Sequence, residues 1–267
     1  VLTLKGIPLA HLAYEIPALR EVGDIDLLVA PGDAHRALSL LREFGYQPAH
    51  PGPLSPNQEL AWIRFKGERH CAHQGHQIEV DLHWQPMGGL GSFAPAFADL
   101  WARRQMVDVR DHAVPTLGPE DTLLYLCLHG SKHGWVALKW LCDVAEFLRR
   151  HPHLDWERLR AEAAACRAGH MLLHGLALAA MLLDAPLPPD LTAAIAADPL
   201  VQADLARTCN RLLRTDGTVD RDQYLYSARQ NALRLREQQK LSRGQYLLEQ
   251  LCITLTPTGA EIQWVSL

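Results

Sequence analysis

The apolar pattern changes once along the chain. Up to about residue 118, short apolar runs alternate with polar residues or stop at Gly and Pro; beyond Pro119, apolar residues recur at i, i+3 and i+4 over long segments. Val1 to Leu4 reads as a short strand, Lys5-Gly6 as a turn, and Ile7 to Tyr14 as a helix. Asp24-Ile25-Asp26-Leu27-Leu28-Val29 follows as a strand, with Asp24 and Asp26 on one face and Ile25 and Leu27 on the other. From Pro31 a helix is predicted, capped by Gly32-Asp33, carrying Ala34, Leu38, Leu41 and Phe44 at helical spacing and closing at Gly45. A strand over Tyr46 to Pro48 and a proline-rich loop from His50 to Pro56 come next.

The alternation of Leu60 to Phe65 predicts another strand, turning at Gly67-Glu68. Gln77 to Trp84 alternates cleanly, with Ile78, Val80, Leu82 and Trp84 on one face and Gln77, Glu79, Asp81 and His83 on the other. Met87 to Arg104 reads as a glycine-rich loop and a short helix. Helices are predicted over residues 120–133, 138–150, 155–168, 170–183 and 199–213, then a charged one over 225–241 and another over 245–255. The expected fold class is α+β: a small mixed sheet with helices over residues 1–118, followed by an all-helical domain over 119–267.

Composition narrows the function classes. The chain has 267 residues, 48% apolar and 21% charged, with no apolar run long enough to span a bilayer. Its 26 Lys and Arg are outnumbered by 30 Asp and Glu, so overall charge gives no case for nucleic-acid binding. Cys71, Cys127, Cys142, Cys166, Cys209 and Cys252 are scattered through apolar patterns, the usage expected of reduced core thiols in a cytoplasmic protein. The chain opens on Val1 within an apolar segment, so residues upstream of it are expected.

Candidate chemistry centres on the D-x-D strand. Two carboxylates on one strand edge repel, and the usual remedy is a divalent cation such as Mg²⁺, held by one or two carboxylates while substrate phosphates complete its shell. Asp81, on the second clean strand, is a third carboxylate that could share a metal or take a proton, with Glu79 and His83 beside it. Lys5 and Gly6 join a strand to a helix start, where an anion could bind. His129 and His133 share a helical face beside Lys132, with Lys139 and Asp143 on the next helix. This face reads either as a phosphate-contacting surface or as interdomain packing. His70, Cys71, His73 and His76 are crowded together, but their spacing matches no standard zinc finger. Arg229, Arg234, Arg236, Lys240 and Arg243 make a basic run expected to be a solvated face.

Taken in order, Leu4-Lys5-Gly6, Arg20, Gly23-Asp-Ile-Asp-Leu-Leu-Val, Phe44-Gly45-Tyr46, Ile78-Glu-Val-Asp-Leu-His-Trp, Leu128-His129-Gly130 and Lys132-His133 resemble an uncharacterised bacterial branch of the nucleotidyltransferase-like family. The likeness covers roughly residues 1–150. The resemblance implies a polymerase-β-like core with a helical C-terminal domain and transfer of an NMP from an NTP to a hydroxyl acceptor. It implies Asp24 and Asp26 as ligands of one or two Mg²⁺ ions and Asp81 as third ligand or base. Lys5, Gly6, Arg20 and Lys132 would contact phosphate, and Glu79, His83, His129 and His133 would support the site or touch substrate. One departure stands out: members of the superfamily usually carry Gly-Ser where this chain has Lys5-Gly6. A nucleotidyltransferase fold that binds a nucleotide or partner without turnover is the alternative this departure leaves open.

Overall fold

Asp24-Ile25-Asp26-Leu27-Leu28 forms β2 (Asp24–Leu28), the middle strand of a seven-stranded sheet. The computed structural model describes residues 1–49, 52–73, 75, 78–87 and 95–212. The helices expected over 225–241 and 245–255, the basic run within them, His76 and most of the glycine-rich loop lie outside the described residues. The described residues group into two compact units, 1–8 with 21–117 and 9–20 with 118–212.

The first unit carries the whole sheet. Its other strands are β1 (Leu2–Thr3), β3 (Tyr46–Pro48), β4 (Glu68–His73), β5 (Glu79–His83), β6 (Gln105–Val109) and β7 (His112–Thr116). The order is β3-β4-β5-β2-β1-β7-β6, parallel between β2 and β5 and between β1 and β7, antiparallel elsewhere. This is the mixed sheet of an α+β fold. Helices α2 (Ala34–Glu43) and α3 (Pro56–Phe65) cover one face, where Ala34 and Leu38 pack with Val29, Cys71, Leu82 and Trp84, and Trp62 and Ile63 close the margin. The Trp62 and Trp84 indoles keep their polar edges satisfied by donating to the Glu68 and Ile63 carbonyls at 2.9 and 2.8 Å.

Three local expectations are corrected. Leu60 to Phe65 is helical, because a capping box starts α3 upstream: the Ser55 hydroxyl accepts from the Gln58 N–H, the Gln58 side chain accepts from the Ser55 N–H, and Pro56 takes the first helical position. The alternation there was short, whereas the cap commits ten residues. Helix α2 is led in by a 3₁₀ turn over Pro31–Asp33, and the Asp33 side chain makes no capping bond. The segment before residue 118 also holds an antiparallel hairpin, β6 to β7, that no glycine announces. Its turn residues Arg110 and Asp111 both adopt positive φ, +50° and +66°, the geometry that matches strand twist in a two-residue hairpin.

The second unit is helical. Beyond residue 118 it holds α5 (Pro119–Lys132), α6 (Leu138–Arg150), α7 (Trp156–Ala165), α8 (Gly169–Leu183), α9 (Pro189–Ala197) and α10 (Pro199–Leu212); α1 (Ile7–Ala13) and α4 (Phe97–Ala102) precede it in the chain. Helix α9 was not foreseen from the spacing. The central helix is α8, packed by α5, α6, α7, α9 and α10. Trp135, fully buried, lies against Gly130 and Gly175: a Cβ at Gly130 would meet its ring at 2.1 Å, so the glycine of Leu128-His129-Gly130 is demanded by packing.

Candidate active site

Register builds the site. Parallel pairing of β2 with β5 sets Asp24 opposite Glu79 and Asp26 opposite Asp81; antiparallel pairing of β5 with β4 sets Asp81 opposite His70 and His83 opposite Glu68. Because side chains alternate, Asp24, Asp26, Glu79, Asp81, His83, Glu68 and His70 all project from one face of three adjacent strands. The opposite face presents Val80, Leu82 and Cys71 to the α2 and α3 side. So many carboxylates side by side require positive charge among them.

Lys5 and His83 supply it, and His70 adds a hydrogen-bond partner. Lys5 follows β1, whose pairing with β2 extends through a bond from the Leu4 N–H to the Asp26 carbonyl, and Gly6 then turns the chain at φ +80°. This places the Lys5 Nζ 3.0 Å from Asp24 Oδ2 and 2.8 Å from Asp26 Oδ2. Burial works against the ammonium, but the Asp26 and Asp24 carboxylates outweigh it and raise its pKa above the ordinary lysine value. His83, buried, lies between two carboxylates, with Nε2 3.3 Å from Asp26 Oδ1 and Nδ1 3.2 Å from Glu68 Oε2. Burial again opposes the charge; the bonds to Asp26 and Glu68 override it and raise the imidazole to about 9. Asp26 is itself nearly inaccessible, and although burial favours its neutral form, His83 and Lys5 hold its pKa below the usual carboxylate value. On β4, His70 contributes Nδ1 at 2.5 Å to Asp81 Oδ1, with Nε2 3.7 Å from Glu79 Oε2.

The donor set fits a hard divalent cation. Asp26, Asp81 and His83 each offer a ligand atom within 4.8 Å of the others, and Asp24 lies one pleat along β2. A stand-in is already present, since the Lys5 ammonium bridges the Asp24 and Asp26 oxygens. The carboxylate oxygens of this group are the donors a hard cation such as Mg²⁺ or Mn²⁺ prefers, while both His83 nitrogens already lie beside carboxylates.

The α+β unit therefore gathers Lys5, Gly6, Asp24, Asp26, Glu79, Asp81 and His83. Arg20, His129, Lys132 and His133 belong to the helical unit. There the Arg20 guanidinium makes a two-pronged pair with Asp143, Nε to Oδ1 at 2.8 Å and Nη2 to Oδ2 at 3.0 Å, and the Tyr14 hydroxyl donates to Oδ1 at 2.8 Å. His129 and His133 form a ring cluster with Trp140, the centroids 4.7 to 5.3 Å apart, at the end of α5 beside Lys132. Two members of the site face do not stand out from residue spacing. Glu68 and His70 were passed over because His70 was grouped with Cys71 and His73 as a crowded segment. Alternation along β4 separates them, sending Cys71 into the core, where burial pushes its thiol up to about 11. Recognising Glu68-x-His70 as one face of a strand would have found both.

A family model described as an uncharacterised nucleotidyltransferase matches residues 1–184. No curated protein and no solved structure matches the chain.

Proposed function

The chain belongs to this uncharacterised nucleotidyltransferase family, and from that premise we propose that it uses Mg²⁺ to move an NMP from an NTP to a hydroxyl of a small-molecule, peptide or protein acceptor. The observation that carries this reading is the β2/β5 register, which sets Asp26 opposite Asp81 with Asp24 on the same face. Asp24, Asp26 and Asp81 would hold the cation, and two ions could share three carboxylates. Bound there, Mg²⁺ supplies charge neutralisation at the α-phosphate and the departing pyrophosphate.

The chain's own residues do the rest. The acceptor oxygen forms a bond to the α-phosphorus as the bond to the pyrophosphate oxygen breaks, and the hydroxyl proton needs an acceptor nearby. Asp81 serves either as that acceptor or as a metal ligand, with His70 fixing its Oδ1. His83 orients Asp26, and Glu68 orients His83. Lys5 is the cation of this face best placed to meet triphosphate.

The test mixes the protein with each of the four NTPs, Mg²⁺ and a metabolite extract and measures pyrophosphate release against the Asp24→Asn/Asp26→Asn double variant. Release with at least one NTP that disappears in the variant is the expected result; equal release from both proteins sinks the assignment. A second reading is favoured by the Lys5 ammonium, which already neutralises the D-x-D pair. On that reading the protein binds nucleotide as a non-catalytic module. Mg²⁺-dependent nucleotide binding without pyrophosphate release, over a broad acceptor panel, would select it.

A further inference from the structure

Lys5 occupies the place where the charge of a metal is needed. Its Nζ lies 3.0 and 2.8 Å from the Oδ2 atoms of Asp24 and Asp26, oxygens that a cation held by the D-x-D pair would have to share. Mg²⁺ demands oxygens at about 2.0–2.1 Å, so an ion drawing on those atoms would stand almost against the ammonium, with the like charges repelling. Lys5 and the metal cannot both use the pair in this arrangement.

The local build shows which of the two can yield. The Lys5 backbone is pinned on both sides, by the bond from the Leu4 N–H to the Asp26 carbonyl and by the turn at Gly6, whose φ of +80° favours glycine. The side chain is a four-carbon stem ending in a compact charge, the kind that swings without disturbing the backbone. Asp24 is the more open of the two carboxylates, its side chain 35% exposed against 2% for Asp26, so the outward path lies past Asp24. His83 lies with Nε2 3.3 Å from Asp26 Oδ1 and Nδ1 3.2 Å from Glu68 Oε2, on the side of Asp26 away from the Oδ2 that meets Lys5.

We propose that Lys5 is a resident counter-ion that keeps divalent metal off Asp24 and Asp26 until a nucleoside triphosphate arrives and draws the ammonium onto its phosphates. This rests on the nucleotidyltransferase reading and gives the Lys5-Gly6 replacement of Gly-Ser a task. Its consequence is coupling: the free protein binds metal weakly, nucleotide strengthens metal binding, and by linkage metal strengthens nucleotide binding by the same factor. Metal then enters the site together with nucleotide, and the idle protein keeps its carboxylates neutralised.

The test is a Mn²⁺ titration, reading free Mn²⁺ by electron paramagnetic resonance, on wild-type protein and Lys5→Met, with and without an α,β-methylene NTP analogue. In the wild type the analogue should tighten Mn²⁺ about tenfold or more; in Lys5→Met, Mn²⁺ alone should bind about tenfold tighter than to wild type, with the analogue adding little. Lys5→Arg keeps the charge and should keep Mn²⁺ weak without the analogue. If Lys5→Met binds Mn²⁺ no better than wild type while wild type binds Mn²⁺ with the analogue, the counter-ion role is overturned and the nucleotidyltransferase reading stands. Failure of wild type to bind Mn²⁺ with any of the four analogues overturns both. Should Lys5→Met not fold, wild-type protein labelled with ¹⁵N-lysine gives the answer. Its Lys5 ammonium resonance should stay in place with Mg²⁺ alone and move with Mg²⁺ plus analogue; an equal shift with Mg²⁺ alone overturns the proposal.

Discussion

Two cation–carboxylate clusters near the start of the chain use the same chemistry to opposite ends. Around Lys5, one ammonium is shared between Asp24 and Asp26 on a strand face that also carries Asp81 and Glu79, so negative charge exceeds what a single lysine can satisfy. Around Arg20, one guanidinium meets one carboxylate in a planar two-bond pair, and the Tyr14 hydroxyl fills a further position on Asp143. Arg suits the second setting because its fork matches a single carboxylate, and Lys suits the first because a point charge can be handed over. The first cluster leaves carboxylate charge that a further cation would meet on the reading proposed above, while the second joins residues 14 and 20 to α6.

The sharpest way to break this contrast is to remove one carboxylate from each cluster. If Asp24 holds the cation as proposed, Asp24→Asn should cut pyrophosphate release about 10²-fold or more, with little change in denaturation midpoint since this carboxylate is part-exposed. Asp143→Ala should do the reverse. It takes the paired carboxylate away from a largely buried guanidinium and should cost about 3 kcal/mol in urea unfolding, leaving the release rate per folded molecule near wild type. A large loss of turnover in folded Asp143→Ala would show that the helical cluster serves chemistry as well as architecture.

A smaller effect separates the two units by pH. His83 is kept charged by carboxylates on both nitrogens, whereas His174, fully buried on α8 with Thr208 3.3 Å from its Nε2, is driven the other way: burial lowers its pKa from 6.5 to about 3. A histidine whose folded pKa is depressed leaves the unfolded state holding more protons between the two values. The stability associated with neutral His174 is therefore whole above pH 6.5 and drains away as pH falls towards about 3, by at most about 1.4 kcal/mol per pH unit. His174→Gln should flatten that part of the unfolding free energy against pH; an unchanged slope would mean that other groups govern acid unfolding.

What could be read from the residues alone follows the range of the interactions. Asp24 to Leu28 and Glu79 to His83 were legible as strands because alternation is a local property, and the D-x-D face came with it. The helices α5, α6 and α8 were legible for the same reason, from apolar residues one turn apart. Residues 60–65 were misread because six alternating positions were weighed above the Ser55–Gln58 capping signal five residues upstream. The β6/β7 turn gave no signal because Arg110 and Asp111 take conformations usually left to Gly and Asn. Nothing local announces that Lys5 ends on Asp24 and Asp26, or that Arg20 ends on Asp143. Asp24 lies 19 positions from Lys5 and Asp143 lies 123 from Arg20, and only the sheet order and the helix packing bring them together.

The smallest expected effect concerns Glu68, which the spacing argument overlooked. Glu68 touches neither a reacting group nor a ligand; it holds Nδ1 of His83, whose Nε2 holds Asp26 Oδ1. Such a residue acts through its neighbour, so truncation should loosen Asp26 without removing it. Glu68→Ala is expected to lower kcat about tenfold with KM for NTP nearly unchanged, whereas Glu68→Gln, whose amide oxygen still accepts from Nδ1, should recover most of the loss. A drop in kcat with KM and the unfolding midpoint both held separates this role from packing, which truncation would register as lost stability. If Glu68→Gln and Glu68→Ala are equally impaired, the charge on Glu68 matters rather than its hydrogen bond. If neither is impaired, Asp26 is held by Lys5 and His83 alone, and the cluster on the strand face is as self-sufficient as the Arg20–Asp143 pair to which it has been contrasted.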